Sequence, residues 1–193
     1  MTVQEPIRVA VNGYGVIGKR VAEAVAVQDD MALAGVADVT TDWRMQVVLR
    51  KGYPLFGAST EHMEAMREAG LDVQGALDDL MDVADIIVDC TPKKVAAQNV
   101  ERYREAGIKF IVHGGEKHSV TGHSFSAENN YASALGREST RVVSCNTTST
   151  VRTLTALKRA GLLEKARGVL IRRATDPWES HLGGHDRSEE RRV

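Results

Sequence analysis

Cys145 lies in the run Arg141-Val142-Val143-Ser144-Cys145-Asn146-Thr147-Thr148, and its thiol is a candidate nucleophile. The two β-branched valines suit a buried strand. Small, mostly polar residues from Ser144 to Thr148 suit a strand-to-helix corner. Thr153, Leu154 and Leu157 then recur at helical spacing until Gly161. Cys145 therefore falls where a helix begins, beside free N–H groups and the positive end of the dipole, which favour a thiolate. A helix terminus contributes roughly 0.3–1 kcal/mol, or about 2 when partly buried, and so takes a thiol from roughly 8.5 to about 7–8. A strongly activated nucleophile also needs a base or a cation, usually a histidine. The competing reading is a small buried filler, since free cysteine is among the most buried residue types.

A second pattern with chemistry in it is Asn12-Gly13-Tyr14-Gly15-Val16-Ile17-Gly18, a G-x-G-x-x-G run. A strand from Ile7 to Val11 precedes it. A helix carrying Val16, Ile17, Val21, Ala24 and Val25 follows, then a second strand from Leu33 to Ala37 and an acid, Asp38, 20 residues beyond Gly18. In that context the glycines have distinct jobs. Gly13 permits the tight turn, Gly15 lets a pyrophosphate approach the backbone, and Gly18 lets the helix pack on the strand. A carboxylate at Asp38 accepts from a ribose 2′-OH and repels a 2′-phosphate, which favours NAD over NADP. Arg44, Thr40 and Thr41 are the residues that would serve NADP instead. The competing role for Asp38 is a helix N-cap, which Asp42 can fill.

These residues need elements to hold them. Trp43, Val47 and Val48 mark a helix up to Lys51-Gly52, and Glu61 to Ala69 a charged surface helix in which Met63 and Met66 are packing residues. Asp85 to Cys90 reads as a buried strand closed by Thr91-Pro92, with Cys90 as core filler. Lys93 to Ala106 reads as a helix, and Lys109 to Val112 as a strand ending in His113-Gly114-Gly115. The repetition predicts an α/β fold with a doubly wound, mostly parallel sheet. Ligands of such sheets bind beyond the carboxyl ends of the strands. Gly13, Asp38, Thr91-Pro92, Gly114 and Cys145 each follow a strand and should meet on one rim.

His113, His118 and His123 have no acidic or cysteine partners at ligand spacing and read as solvated or structural, with no metal site. Val169 to Arg173 reads as a strand ending in two arginines, suited to a phosphate or carboxylate or to a surface ion pair. The highly charged residues 185–193 read as a solvated tail.

The chain has 193 residues, 42% hydrophobic and 26% charged, with a formal net charge of −1. That balance gives no reason to expect nucleic-acid or anionic-membrane partners. Two cysteines, Cys90 and Cys145, fit a reducing compartment. Neither a signal peptide nor an apolar spanning run is evident, so the expected location is cytoplasmic.

Six motifs, Asn12 to Arg20, Lys51 to Tyr53, Asp89 to Lys94, Gly114 to Lys117, Ser144 to Thr148 and Arg172 to Pro177, occur in the order found in one family. From Ile7 to Leu182 the chain closely resembles the archaeal type (type II) of glyceraldehyde-3-phosphate dehydrogenase. The resemblance implies a Rossmann domain over residues 1–144. It implies the start of an α+β catalytic domain over residues 145–184, before the tail. It also implies a homotetramer that converts D-glyceraldehyde 3-phosphate, phosphate and NAD or NADP to 1,3-bisphosphoglycerate. By motif, Cys145 forms the thiohemiacetal and thioester, and Ser144 and Asn146 contact substrate. Val16 and Ile17 lie under the pyrophosphate, and Gly114 and Arg173 contact the cofactor. Asp38 departs from the lysine common in the family and tilts the cofactor toward NAD. Ser149-Thr150 departs from the usual Gly-Leu. After Leu182-Gly183 the chain leaves the family pattern, which reads as a truncation before the histidine that activates the cysteine. His181 and His185 do not match that histidine. The alternative expectation is a dinucleotide-binding module without turnover.

Overall fold

The structure is a computed structural model and describes residues 5–92, 94–113 and 115–170. The first half builds β1 (Ile7–Asn12), α1 (Val16–Ala26), β2 (Met31–Asp38), α2 (Trp43–Arg50), β3 (Leu55–Gly57) and α3 (Thr60–Glu68). It continues through β4 (Gly75–Ala76), α4 (Leu77–Asp82), β5 (Ile86–Asp89), α5 (Val95–Glu105) and β6 (Lys109–Val112). The last elements are β7 (Ser124–Phe125), α6 (Ala127–Asn130), β8 (Ser139–Val142) and α7 (Cys145–Arg159).

The strands form one eight-stranded sheet in the order β4-β3-β2-β1-β5-β6-β8-β7. Every pairing is parallel. This is the doubly wound order, reversing direction at β1, with β4 and β7 added at the two edges. Alternation along the strands sorts the core onto two faces. Val11, Val36 and Leu55 pack with Ala22, Met45, Val48 and Met66 of α1, α2 and α3. Ala10, Ala37, Phe56 and Ile87 pack with Leu77, Leu80, Val100 and Tyr103 of α4 and α5.

Several expectations shift. The strand before Cys145 starts at Ser139 and ends at Val142, leaving Val143 outside. It is only half-buried, because α7 has no buried residue and so leaves that end of the sheet partly uncovered. Ile17 and Ala24, grouped with the apolar set of α1, are exposed, and the helix buries Gly18, Ala22 and Val25 instead. The helix expected from Lys93 begins at Val95, because Pro92 and the left-handed Lys94 (φ 78°) precede it. Val169 and Leu170, expected in a strand, are exposed and unpaired to any strand among the described residues, and a strand needs a neighbour. The remainder of that strand, the arginine pair and the tail lie outside the described residues. His123 proves structural. It is buried, with Nδ1 against Thr140 Oγ1 at 2.6 Å and Nε2 against Ser133 Oγ at 2.9 Å, and burial lowers its pKa.

Under the carboxyl end of β1 and β5 lies a buried polar network. Asp89 is fully buried. Its Oδ2 accepts from the Tyr103 hydroxyl at 2.6 Å and from Asn99 Nδ2 at 2.9 Å, and its Oδ1 accepts from the Thr91 N–H at 2.9 Å and from the Thr91 hydroxyl. Tyr103 in turn accepts from Asn12 Nδ2 at 2.8 Å. Burial, and then the Asp89 charge, push the Tyr103 phenol upward. Tyr103→Phe would leave Asp89 one donor short and Asn12 Nδ2 without its acceptor. The expected cost is about 1–3 kcal/mol of stability, read by chemical denaturation.

Candidate active site

The carboxyl ends of the parallel strands share one rim, and two neighbouring cavities open there. The first, about 480 Å³, lies where the strand order reverses. Gly13, Gly15, Asp38, Thr91 and Pro92 line it, together with Asn12, Arg44, Cys90 and Asn99. The second, about 760 Å³, is lined by Ile17, His113, Cys145, Thr148, Glu128 and Arg152, among others. A small third space of about 100 Å³ takes Val16 and also touches Gly15.

The glycines of the loop play different parts. Gly13 has φ +92°, and a Cβ there would meet Thr91 N at 3.0 Å. A Cβ on Gly18 would stand 1.7 Å from the Gly13 carbonyl oxygen, so α1 can lie this close to the end of β1 only with glycine at that position. Gly15 has neither constraint. Its φ is −75° and a Cβ would meet nothing within 4 Å. Its backbone therefore faces open space at the N-terminus of α1, a terminus with no side-chain cap. Uncapped N–H groups beside an open cradle fit a pyrophosphate.

Asp38 is nearly buried and does not cap α2, a task Asp42 performs by accepting from Arg44 N–H at 2.9 Å. The Asp38 carboxylate accepts from Tyr14 N–H at 2.6 Å, and from the N–H groups of Val39 at 2.7 Å and Thr40 at 3.1 Å. It thus ties the glycine loop to the end of β2 while facing the first cavity. Arg44, the residue considered for a 2′-phosphate, is forked onto Asp42 at 2.6 Å. Hydrogen bonding to Arg44 holds the Asp42 carboxyl below its usual range.

Cys145 is exposed and is the first residue of α7. Ser144 caps that helix, its Oγ accepting from Thr147 N–H at 3.2 Å. Ser144 does not line the second cavity, nor does Asn146. Cys90 differs sharply from Cys145. It is half-buried against the core, and burial followed by the Asp89 charge pushes its thiol up to about 12. Gly114 and Arg173 lie outside the described residues. No group of three or more His, Cys, Asp or Glu among the described residues could hold a metal.

Sequence reasoning missed Asn12, Asn99 and Glu116. Glu116, nearly buried, accepts from the Lys94 N–H at 2.6 Å, and so locks the turn after Pro92 to the segment after β6. The available signal was an ionisable residue at the end of an apolar run, Asp89, which had to find buried donors.

Fold and glycine loop together define an NAD(P)-binding domain of the dehydrogenase type. Residues 7–147 match the family described as dihydrodipicolinate reductase, N-terminus, and the chain belongs to that family. The resemblance carried by the six motifs is borne out by relatives of that name that align over most of this chain. The chain is 47% identical over 175 residues to glyceraldehyde-3-phosphate dehydrogenase of Methanothermus fervidus, covering 91% of this chain and 52% of that protein. It is 49% identical over 177 residues to the same-named protein of Methanothermobacter thermautotrophicus, covering 92% and 52%. The chain spans about half the length of the curated relatives it matches. Among solved structures, the WlbA dehydrogenase from Bordetella pertussis aligns with a TM-score of 0.47 at 18% identity, over 82% of this chain and 41% of that one.

Two substitutions separate packing from binding. Gly18→Ala should cost about 1–3 kcal/mol in a denaturation experiment, since the helix must move off the strand. Gly15→Ala should leave stability within about 0.5 kcal/mol while weakening dinucleotide binding about tenfold or more, measured by calorimetric titration.

Proposed function

We propose that the chain carries the cofactor site and the nucleophile of a phosphorylating glyceraldehyde-3-phosphate dehydrogenase. The substrates would be D-glyceraldehyde 3-phosphate and inorganic phosphate, the product 1,3-bisphosphoglycerate. The observation that carries this reading is the adjacency of the two rim cavities. The first turn of α1 separates them, with Gly15 lining one and Ile17 the other, where Cys145 also lies. Cys145 attacks the aldehyde carbon to form a thiohemiacetal and later holds the acyl group as a thioester, which phosphate cleaves. A bound nicotinamide supplies the hydride acceptor. Ser144 and Asn146 flank the nucleophile and belong to the substrate side. Gly13, Gly15, Val16, Ile17, Gly18, Asp38, Thr91, Pro92, Gly114 and Arg173 belong to the cofactor side.

NAD is the cofactor we favour. The Asp38 carboxylate faces the first cavity, and Arg44 is already held by Asp42, so a 2′-phosphate would meet a negative charge without a free guanidinium beside it. We divide the chain at residues 144 and 145, between the dinucleotide-binding part and the nucleophile helix. The same reading extends to a homotetramer in the cytoplasm, supported by the similarity to the archaeal enzymes. Among the described residues no helix is long and apolar enough to cross a membrane.

Two measurements test the reading. NAD should raise the melting midpoint more than NADP does. Asp38→Asn should narrow the affinity gap about tenfold, because a hydrogen bond to a charged group contributes about 1.5–3 kcal/mol. Purified chain with D-glyceraldehyde 3-phosphate, phosphate and NAD should reduce the cofactor, and Cys145→Ser should abolish that signal. Saturable NAD binding without reduction in the parent would instead leave a dinucleotide-binding module.

A further inference from the structure

The geometry points to Glu116 as a positioning residue that tunes how tightly the first cavity holds a dinucleotide. Its role rests on reading that cavity as the NAD site, and it acts there without lining it.

Thr91, Pro92 and Val95 line the first cavity, so the chain between Pro92 and Val95 sets the shape of one wall. That stretch closes as a turn, with the Val95 N–H donating to the Pro92 carbonyl at 3.0 Å. Within it Lys94 holds φ at 78°, the one positive value outside glycine among the described residues. A residue with a Cβ stays in that region only where its surroundings hold it there. Lys94 is the N-cap of α5, and its side chain makes no capping hydrogen bond that would do so. The hold comes from Glu116, whose carboxylate accepts from the Lys94 N–H at 2.6 Å.

Glu116 is itself fastened from the sheet. It is nearly buried, and its carbonyl accepts from Arg141 Nη1 at 2.7 Å. Arg141 stands in β8 opposite Val112 of β6, and its Nε donates to Ser124 Oγ at 2.7 Å. The carboxylate therefore reaches the entrance of α5 from a fixed base. Glu116 lines none of the three cavities, so it bears on the dinucleotide site through the Lys94 backbone. A wall already set in its binding form spares a ligand the cost of ordering it. Without the carboxylate, Lys94 relaxes toward negative φ, and Pro92 and Val95 turn relative to one another. Apparent affinity then falls with the fraction of chains that keep the binding form.

Calorimetric titration of the 193-residue chain with NAD tests this. Glu116→Ala should weaken binding about tenfold, the loss expected when a hydrogen bond to a charged group no longer holds the turn. Glu116→Gln keeps an oxygen acceptor and should stay within about threefold of the parent. Glu116→Ala combined with Lys94→Gly should recover most of the loss, because glycine adopts positive φ freely. A general packing defect at Glu116 would not be repaired by a change at Lys94. Parent-like affinity in Glu116→Ala, or a loss that Lys94→Gly fails to relieve, would overturn the role of Glu116 and leave the cavity as the NAD site. A parent that does not bind NAD would overturn both readings. Should Glu116→Ala fail to fold, hydrogen exchange at the Lys94 amide of the parent decides the matter. Slower exchange with NAD bound supports the role, and an unchanged rate overturns it.

Discussion

Among the described glycines, an added Cβ would meet the tightest obstruction at Gly18, where the first turn of α1 lies against the backbone after β1. A single added carbon at Gly18 would stand 1.7 Å from the Gly13 carbonyl oxygen. Because helix and strand meet through backbone at Gly18, the start of α1 is fixed there by contact and not by adjustable side chains. The N-terminus of α1 therefore projects over the carboxyl edge of the sheet. From that one placement Gly15 reaches the first cavity, Val16 the third, and Ile17 the cavity of Cys145. The uncapped N–H groups of α1 also face outward at the point where the strand order reverses.

Around that contact the rim is held by buried carboxylates that accept from backbone N–H groups. Asp38 ties Tyr14 of the glycine loop to the end of β2. Asp89 closes β5 and holds Thr91. Glu116 holds Lys94, whose left-handed backbone starts α5. A carboxylate without donors in such places would be strongly destabilising, so each one specifies the loop that supplies them. The motifs Asp89 to Lys94 and Gly114 to Lys117 are thereby one structural unit, joined by the Glu116 contact although 22 residues separate its two partners.

The two cysteines illustrate how place decides chemistry. Cys90 follows a strand buried on both faces, and its thiol is pushed up by lost solvation and by the Asp89 charge. Cys145 opens a helix, exposed, in a cavity with an imidazole and an ion pair. Nothing in residue type separates them.

Much of the framework was legible from local pattern. Periodicity marked β1, α1, β2 and β6, and the small residues around Ser144 put Cys145 near the start of a helix, because capping and alternation act within a few residues. Asp42 as the cap of α2 was readable for the same reason. The three-residue β3, two-residue β4 and six-residue α4 were not, being too short to express a period. Tertiary structure alone decided which strands are neighbours, and hence that His113 shares a cavity with Cys145, that Asn99 and Tyr103 gather on Asp89, and that Asn12 reaches Tyr103. Those contacts link residues far apart in the chain. Sheet order and register set them, and no local run of residues encodes either.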